Sequence, residues 1–334
     1  MKQIIKISAV SAVMALVLAF TSGCHRRPLH DADYGVMVEI SLDKDIINYP
    51  NPADPELYRV VFFEHESGNY VTQAFVKPEG GRVYVLPEKS YDVLVYNFDT
   101  ESTLIKNGNT WKGILATTNP ISDEYKSKVK TRVKSMPAAV MQKLATKADP
   151  VNEVFVFDPD HLYVGRLENV FIPGRAVEAP IITLHFDAKT VVQTWIVDVG
   201  TIQGVKNIAG VSAVMTGLAS GNNFGPNAKT DDAVTVYFDD IKISADGILI
   251  GKFNTFGATP VANYPQVLTL IFTDTIGQSY IYNVDVSDQF INNPNQYIKV
   301  RTSIIIPDPP VGPTSGGFVP KVDEWNDIVS TIEI

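Results

Sequence analysis

The chain has one thiol, Cys24, and it lies directly behind Thr21-Ser22-Gly23. An apolar run from Ala9 to Phe20 precedes those small residues, and Lys2 and Lys6 precede the run. A positive start, an apolar stretch and small residues make the pattern of a secretory signal. The stretch is shorter than the roughly 20 apolar residues needed to cross a bilayer. A cysteine in this position matches a bacterial lipobox, in which the thiol is acylated and becomes the first residue of the mature chain. The usual box has Leu three residues before the cysteine, and Thr21 stands there instead. Lipid attachment is therefore expected at Cys24, with residues 1–23 as signal peptide and 24–33 as a lipid-proximal linker.

The other reactive side chains do not assemble into a motif. None of His25, His30, His65, His161 and His185 sits in HExxH or at another zinc spacing. His65 and His185 fall within strand patterns, where a structural histidine is the simpler reading. His161, near Asp158 and Asp160, is the best metal candidate, against a solvated turn as the plain alternative. Asp231-Asp232 and Asp239-Asp240 flank a strand and are read as solvating its ends rather than holding calcium. Trp111 lies in a loop-like stretch, where it serves either as packing or as a platform for carbohydrate. The sequence lacks Gly-x-Ser-x-Gly, a Walker A loop and the dinucleotide fingerprint. Paired glycosidase acids are recognised only by their separation in space. No catalytic residue, cofactor or metal is assigned, and the chain is read as a non-enzyme.

Composition narrows the partners. Removing residues 1–23, which carry two Lys and no acid, takes the net charge from −9 to −11. An acidic chain whose one tight basic group is Arg26-Arg27 is a poor match for nucleic acid, where phosphate neutralisation dominates binding. With Cys24 acylated, no internal disulfide is possible, so stability must come from buried area.

The elements that position these residues are strands. Val36, Val38, Ile40 and Leu42 share one face while Glu39 and Ser41 point away, the period of a half-buried strand. Tyr58 to His65, Tyr70 to Val76, Arg82 to Leu86 and Tyr91 to Tyr96 follow, separated by turns such as Pro78-Glu79-Gly80-Gly81. Ser122 as N-cap with Asp123 and Glu124 predicts one or two short helices over residues 122–147, interrupted at Pro137. Val154 to Phe157 is a strand and Asp158-Pro159-Asp160-His161 a turn. From Pro180 a second series is predicted: 181–186, 191–199, 211–218, 234–238, 241–244, 248–253, 267–272, 280–286 and 299–306. A polar loop covers 220–227. Short strands joined by Gly/Pro turns predict an all-β chain of two antiparallel sandwiches. Residues 34–179 form the first, with the helical insertion, and residues 180–334 the second. Ile328, Ile332 and Ile334 make the tail a terminal strand, self-paired or donated.

Particular strings carry a resemblance. Cys24-His25-Arg26-Arg27-Pro28-Leu29 resembles the mature start of a family of uncharacterised lipoproteins of Bacteroidales. Leu94-Val95-Tyr96-Asn97-Phe98-Asp99-Thr100-Glu101-Ser102-Thr103, Asp158-Pro159-Asp160-His161-Leu162 and Phe253-Asn254-Thr255-Phe256-Gly257 fit it too. So does Gly316-Gly317-Phe318-Val319-Pro320-Lys321-Val322-Asp323-Glu324-Trp325. That family is distantly similar to the fimbrillin-associated anchor and accessory lipoproteins of Bacteroidales pili. The resemblance implies two transthyretin-like, Greek-key sandwiches, a retained lipid and acceptance of a strand from a neighbouring pilus subunit. It carries no catalytic residues. The expected function is that of a surface-exposed accessory, tip or anchor component of a fimbria-like assembly, lipid-anchored at the outer membrane and serving cell adhesion. Its expected partners are the membrane, through Cys24, and fimbrial subunits, by strand addition. The alternative is a surface glycan- or protein-binding lipoprotein outside any pilus.

Because each buried CH₂ of an acyl chain stabilises membrane association by about 0.8 kcal/mol, Cys24→Ala is expected to release the protein from membranes. Fractionation at high salt checks this, and retention of the variant with membrane would sink the assignment.

Overall fold

The computed structural model describes residues 35–122, 153–174, 180–290 and 293–309, and the backbone of Ile328–Ile332. Its strands in chain order begin β1 (Gly35–Leu42), β2 (Tyr58–Glu64), β3 (Tyr70–Val76), β4 (Gly81–Tyr84), β5 (Lys89–Asn97), β6 (Thr103–Lys106) and β7 (Leu115–Thr118). They continue with β8 (Val154–Phe157), β9 (Tyr163–Ile172), β10 (Ile182–Thr190), β11 (Gln193–Gln203), β12 (Ile208–Ala219), β13 (Gly221–Asn223) and β14 (Ala228–Lys229). The last are β15 (Ala233–Phe238), β16 (Ile241–Ile243), β17 (Leu249–Thr255), β18 (Val267–Asp274), β19 (Ser279–Asp285), β20 (Tyr297–Ile305) and β21 (Ile328–Ile332). Helix among the described residues is limited to single turns at Val205–Asn207 and Ser287–Phe290. The helices expected over 122–147 lie outside the described residues, apart from Ser122.

Alternation in β1 puts Val36 and Val38 inside and Glu39 and Ser41 outside. In β5 both faces are buried, which is why Tyr91–Tyr96 reads as an almost unbroken apolar run. The first sheet has the order β3-β2-β5-β9-β10-β1-β4. At its centre β9 and β10 pair only at Val164↔Lys189 and Tyr163↔Thr190. There the order bends into two layers, which enclose Val36, Val38, Val60, Phe62, Tyr91, Val93, Val95 and Phe186. The opposite faces of β2 and β5 bury Val61, Phe63, Leu94 and Tyr96 against Trp111, Ile114, Ala116 and Phe224. A small sheet, β14-β13-β7-β6, supplies part of that cover. Trp111 stands edge-on to Phe63 with ring centroids 5.9 Å apart, so it is packing and not a platform.

In the second sandwich, β16-β17-β11-β20 packs on β21-β19-β18-β12-β15-β8. Trp195, Val197, Val199, Met215, Leu270, Phe272 and Val300 fill the space between them. Trp195 stacks on Phe290 at 4.0 Å, which gives the turn after β19 a structural purpose.

Three features differ from the expectation. First, β9 has no counterpart among the predicted strands. A register shift opposite Tyr91–Val93 and a positive φ of 51° at Asn169 break its alternation, as a bulge does. β6, β7, β13 and β14 are likewise absent from the prediction, and Phe224 in the expected polar loop is fully buried. Second, although most pairs are antiparallel, four are parallel: β1 with β10, β11 with β20, β15 with β8 and β19 with β21. Third, strands from the two predicted segments share sheets. β10 pairs with β1 of the first sandwich, and β8 pairs with β15 of the second. The handover falls at Val191 and Val192, the two residues between β10 and β11.

His161 fastens that handover. Its Nδ1 lies 3.1 Å from Thr190 Oγ1 and its Nε2 lies 2.8 Å from Thr194 Oγ1. Thr194 Oγ1 donates to Asn254 Oδ1 at 2.8 Å, and Asn254 Nδ2 donates to the Pro159 carbonyl at 3.0 Å. With the Thr194 hydroxyl hydrogen committed to Asn254, Nε2 carries the ring proton, and Nδ1 shares the single Thr190 hydroxyl hydrogen with the Val192 carbonyl, 3.2 Å from the same oxygen. A neutral ring satisfies this arrangement. Burial, with help from Lys252, pulls the His161 pKa down to about 4. Nearby Asp158 moves the other way, pushed up to about 6 mainly by burial.

These two groups predict opposing pH dependences. The unfolded chain protonates His161 near 6.5 and the folded chain only near 4, so acidification through that window costs stability. Asp158 keeps its proton up to about 6 when folded but only to 3.8 otherwise, so the same acidification favours the fold. Each effect is on the order of 1–3 kcal/mol. Asp158→Asn should therefore lose stability steeply between about pH 6.5 and 4, and His161→Gln should become more stable on acidification. Denaturant midpoints across that range check both, and identical profiles for the two variants would refute the assignment.

The tail yields a second prediction. β21 pairs with β19 from Tyr280↔Ile328 to Val284↔Ile332. Net contributions of about 0.5–1.5 kcal/mol per hydrogen bond make such a strand a sizeable part of a typical 5–15 kcal/mol. Deleting residues 326–334 should lower the unfolding transition of the second sandwich in calorimetry and leave the first sandwich in place. An unchanged melt would mean that β19 does not need this strand.

Candidate functional site

Of the described chemistry-bearing residues, His65 and His161 fix the fold, whereas His185 and the two Asp-Asp pairs lie at the surface. His65 Nδ1 lies 2.7 Å from the buried Asp92 carboxylate, which also accepts the Asn169 N–H at 2.9 Å. His185 is exposed and faces Glu39 at 3.0 Å. Asp231, Asp232, Asp239 and Asp240 are all exposed at strand ends. Among the described residues no group of three or more His, Cys, Asp or Glu is arranged to hold a metal. Cys24, His25 and His30 lie outside the described residues.

A recess of about 330 Å³ beside His161 contains the acids Asp54, Asp99, Glu101 and Asp160. Two of these carboxylates are already committed to backbone. Asp160 Oδ2 accepts the N–H groups of Glu101, Ser102 and Thr103 at 2.9, 2.6 and 3.1 Å. Asp99 accepts Glu56 N–H at 2.8 Å and the Asn97 amide at 3.1 Å. The string that looked like a metal-binding turn, Asp158 to His161, is a clasp that ties β6 and β11 to the start of β9.

What remains open is backbone at sheet edges. β3 and β4 end the first sheet, β16 and β20 end one layer of the second sandwich, and β8 and β21 end the other, but residues 119–121 already pair with β8 and the Gln289 side chain caps β20 at Lys299. Unpaired N–H and C=O groups on such edges can receive another strand. The terminal strand itself occupies one such position, alongside β19. The end of β20 is fixed by side chains. Asn207 Nδ2 donates to the Pro307 carbonyl at 3.0 Å and to Asp308 Oδ1 at 2.9 Å, and Lys206 pairs with Asp308 at 3.1 Å. The chain thus leaves β20 from a fixed point before it returns at Ile328. At one edge of the first sheet, β3 exposes Tyr70, Val71 and Phe75. Phe75 meets the exposed Phe98 at 5.3 Å, and the Arg59 guanidinium lies 5.9 and 5.4 Å from their two ring centres. Sequence reasoning found the terminal strand from its isoleucines but missed this aromatic–arginine group, because its members come from three separate segments.

Comparison with known proteins gives the lineage. A protein of Bacteroides ovatus named "Putative fimbrium anchoring subunit Fim4B" is 25% identical over 228 residues, 68% of this chain; the chain spans about 59% of that relative's length. The crystal structure of a "putative adhesin" from Bacteroides ovatus superposes with a TM-score of 0.60 at 20% identity, covering 86% of this chain and 98% of the other. The fimbrial anchor protein Mfa2 of Porphyromonas gingivalis is more remote, at 14% identity and a TM-score of 0.49, with 80% and 89% covered. A family model described as a domain of unknown function (DUF5119) matches residues 23–239. The match takes in most of the chain, from the proposed lipid site through both series of strands as far as β15, and the protein belongs to that family.

Proposed function

We propose that this protein is a lipid-anchored accessory subunit of a fimbria-like assembly, acting as an anchor or tip component at the outer membrane and serving adhesion rather than catalysis. The observation that carries the reading is the seating of a short terminal strand on β19, at the end of a long tail that starts from the fixed exit at Asp308. A strand in that place marks an edge able to form main-chain pairs with a segment that comes from outside the sheet. Strand pairing is the natural contact for a β-sandwich in a filament, since hydrogen bonds provide affinity and alternate side chains provide specificity. Similarity to the Bacteroides ovatus protein named as a fimbrium anchoring subunit supports the same direction. Acylation of Cys24 would hold the molecule at the membrane, with the linker of residues 24–33 between lipid and β1. The engagement of Asp99 and Asp160 with backbone also favours a structural use of the acidic recess.

The test is recovery of neighbours. After lysine-reactive cross-linking of intact cells, the native protein should be isolated from membranes covalently joined to subunits of a fimbria. Recovery of the protein alone, or joined only to non-fimbrial proteins, would overturn the reading.

A further inference from the structure

A second cavity, of about 500 Å³, opens where β9 and β10 part company. Arg166 of β9, Asp187 and Lys189 of β10, Gln193 of β11, Asn222 of β13 and Lys229 of β14 bring the polar groups to it. In a chain of net charge −9, its lining holds three cations and one acid. Lys189 is matched by Asp43 at 3.2 Å. The other two cations form no ion pair among the described residues, although the Glu168 carboxylate acts on Arg166 through space. Arg166 donates to neutral acceptors, the Phe224 carbonyl and, at 3.0 Å, Asn227 Oδ1. Lys229 is exposed along its stem, yet its ammonium turns inward onto Gly257, where a Cβ would overlap it. Burial pulls the pKa of both groups below their ordinary values. Cations held this way are costly unless an anion joins them.

One further group is short of a partner. Asn222 is only 5% exposed, and its side-chain oxygen is buried without a hydrogen bond among the described residues. A buried acceptor left unmade costs about 1–3 kcal/mol, and a ligand hydroxyl would satisfy it. Phe256, Val164 and Val191 add an apolar wall. The requirements are therefore an anionic group for Arg166 and Lys229, a hydroxyl donor for Asn222 and a C–H-rich face for Phe256. The volume falls in the range of about 300–1,000 Å³ usual for small-ligand sites.

We propose that this cavity binds an acidic sugar, a uronic acid unit whose carboxylate lies between Arg166 and Lys229 and whose ring hydroxyl donates to Asn222. The inference does not rest on the fimbrial reading, since it concerns a separate surface and would hold for any lipoprotein of this fold.

The test uses the purified full mature chain, with D-glucuronate, D-glucose and inorganic phosphate as probes in calorimetric titration. D-Glucuronate should bind with a Kd at or below the millimolar range and weaken as salt rises, while D-glucose should bind at least tenfold more weakly. Lys229→Met, which keeps an apolar stem of similar length and removes the ammonium, should weaken D-glucuronate about tenfold without lowering the melting temperature of the free protein. Asn222→Ala provides a second variant, expected to weaken D-glucuronate more than phosphate. No binding of D-glucuronate, equal binding of D-glucose, phosphate binding as tightly as D-glucuronate, or an unaffected Lys229→Met variant would each overturn the proposal.

Discussion

A two-residue step holds this molecule together. β10 ends at Thr190 in one sandwich and β11 begins at Gln193 in the other, so the chain has no linker in which to absorb misalignment. Val192 is buried in the step, and Val191 N–H donates to the Leu162 carbonyl at 2.9 Å. The imidazole of His161 then spans the gap, touching a threonine hydroxyl on each side. A neutral histidine suits the place because it offers one donor and one acceptor, and a charged ring would be desolvated there. Asn48 adds a tie from a third direction, donating to the carbonyls of Thr194, Asn295 and Gln296 at 3.2, 3.0 and 2.9 Å. The loop between β1 and β2 thereby closes over the start of β11, and the orientation of one sandwich on the other is set by hydrogen bonds rather than by a flexible hinge.

From that step follow both cavities. The recess near Tyr49 lies on the His161 side of it, and the cationic cavity lies on the other, where β9 and β10 separate after two paired residues. Splaying a sheet at a corner leaves backbone and side chains that neither layer fully covers. One recess uses its polar groups internally, with Asp160 capping three successive N–H groups. The other leaves a guanidinium and an ammonium without an ion pair among the described residues. Geometry common to the two places thus ends in different chemistry.

Much of the strand content was legible because the relevant signals are local. Val36 to Leu42 alternates, Ala245-Asp246-Gly247 marks a hairpin and Tyr70–Val76 is bounded as predicted. β9 was not legible: Arg166, Glu168 and Asn169 interrupt its apolar face, and its bulge spoils the period that strand reading relies on. The place of β10 was hidden for another reason. Its parallel pairing with β1 spans more than a hundred residues of chain, and no turn sequence announces such a contact. The same holds for the sites. Cys24 is named by its immediate neighbours, whereas Arg166, Asn222 and Lys229 become one group only when three strands from two sheets converge.

The parallel register of β1 on β10 has a mechanical side. Any pull arriving through the residues before Gly35 acts along the axis of β1 at its N-terminal end. The resisting load leaves β10 at its C-terminal end, straight into β11. Strands loaded at opposite ends in this way slide past one another, so the seven residue pairs from Val36↔Ile182 to Leu42↔Ala188 share the force at once. Had the partner been antiparallel and continued from its near end, the bonds would open one after another like a zip. The next junction repeats the arrangement, since β11 is itself paired in parallel with β20. Tension on this chain is therefore met in shear, first in one sandwich and then in the other, along a single nearly unbroken line of backbone.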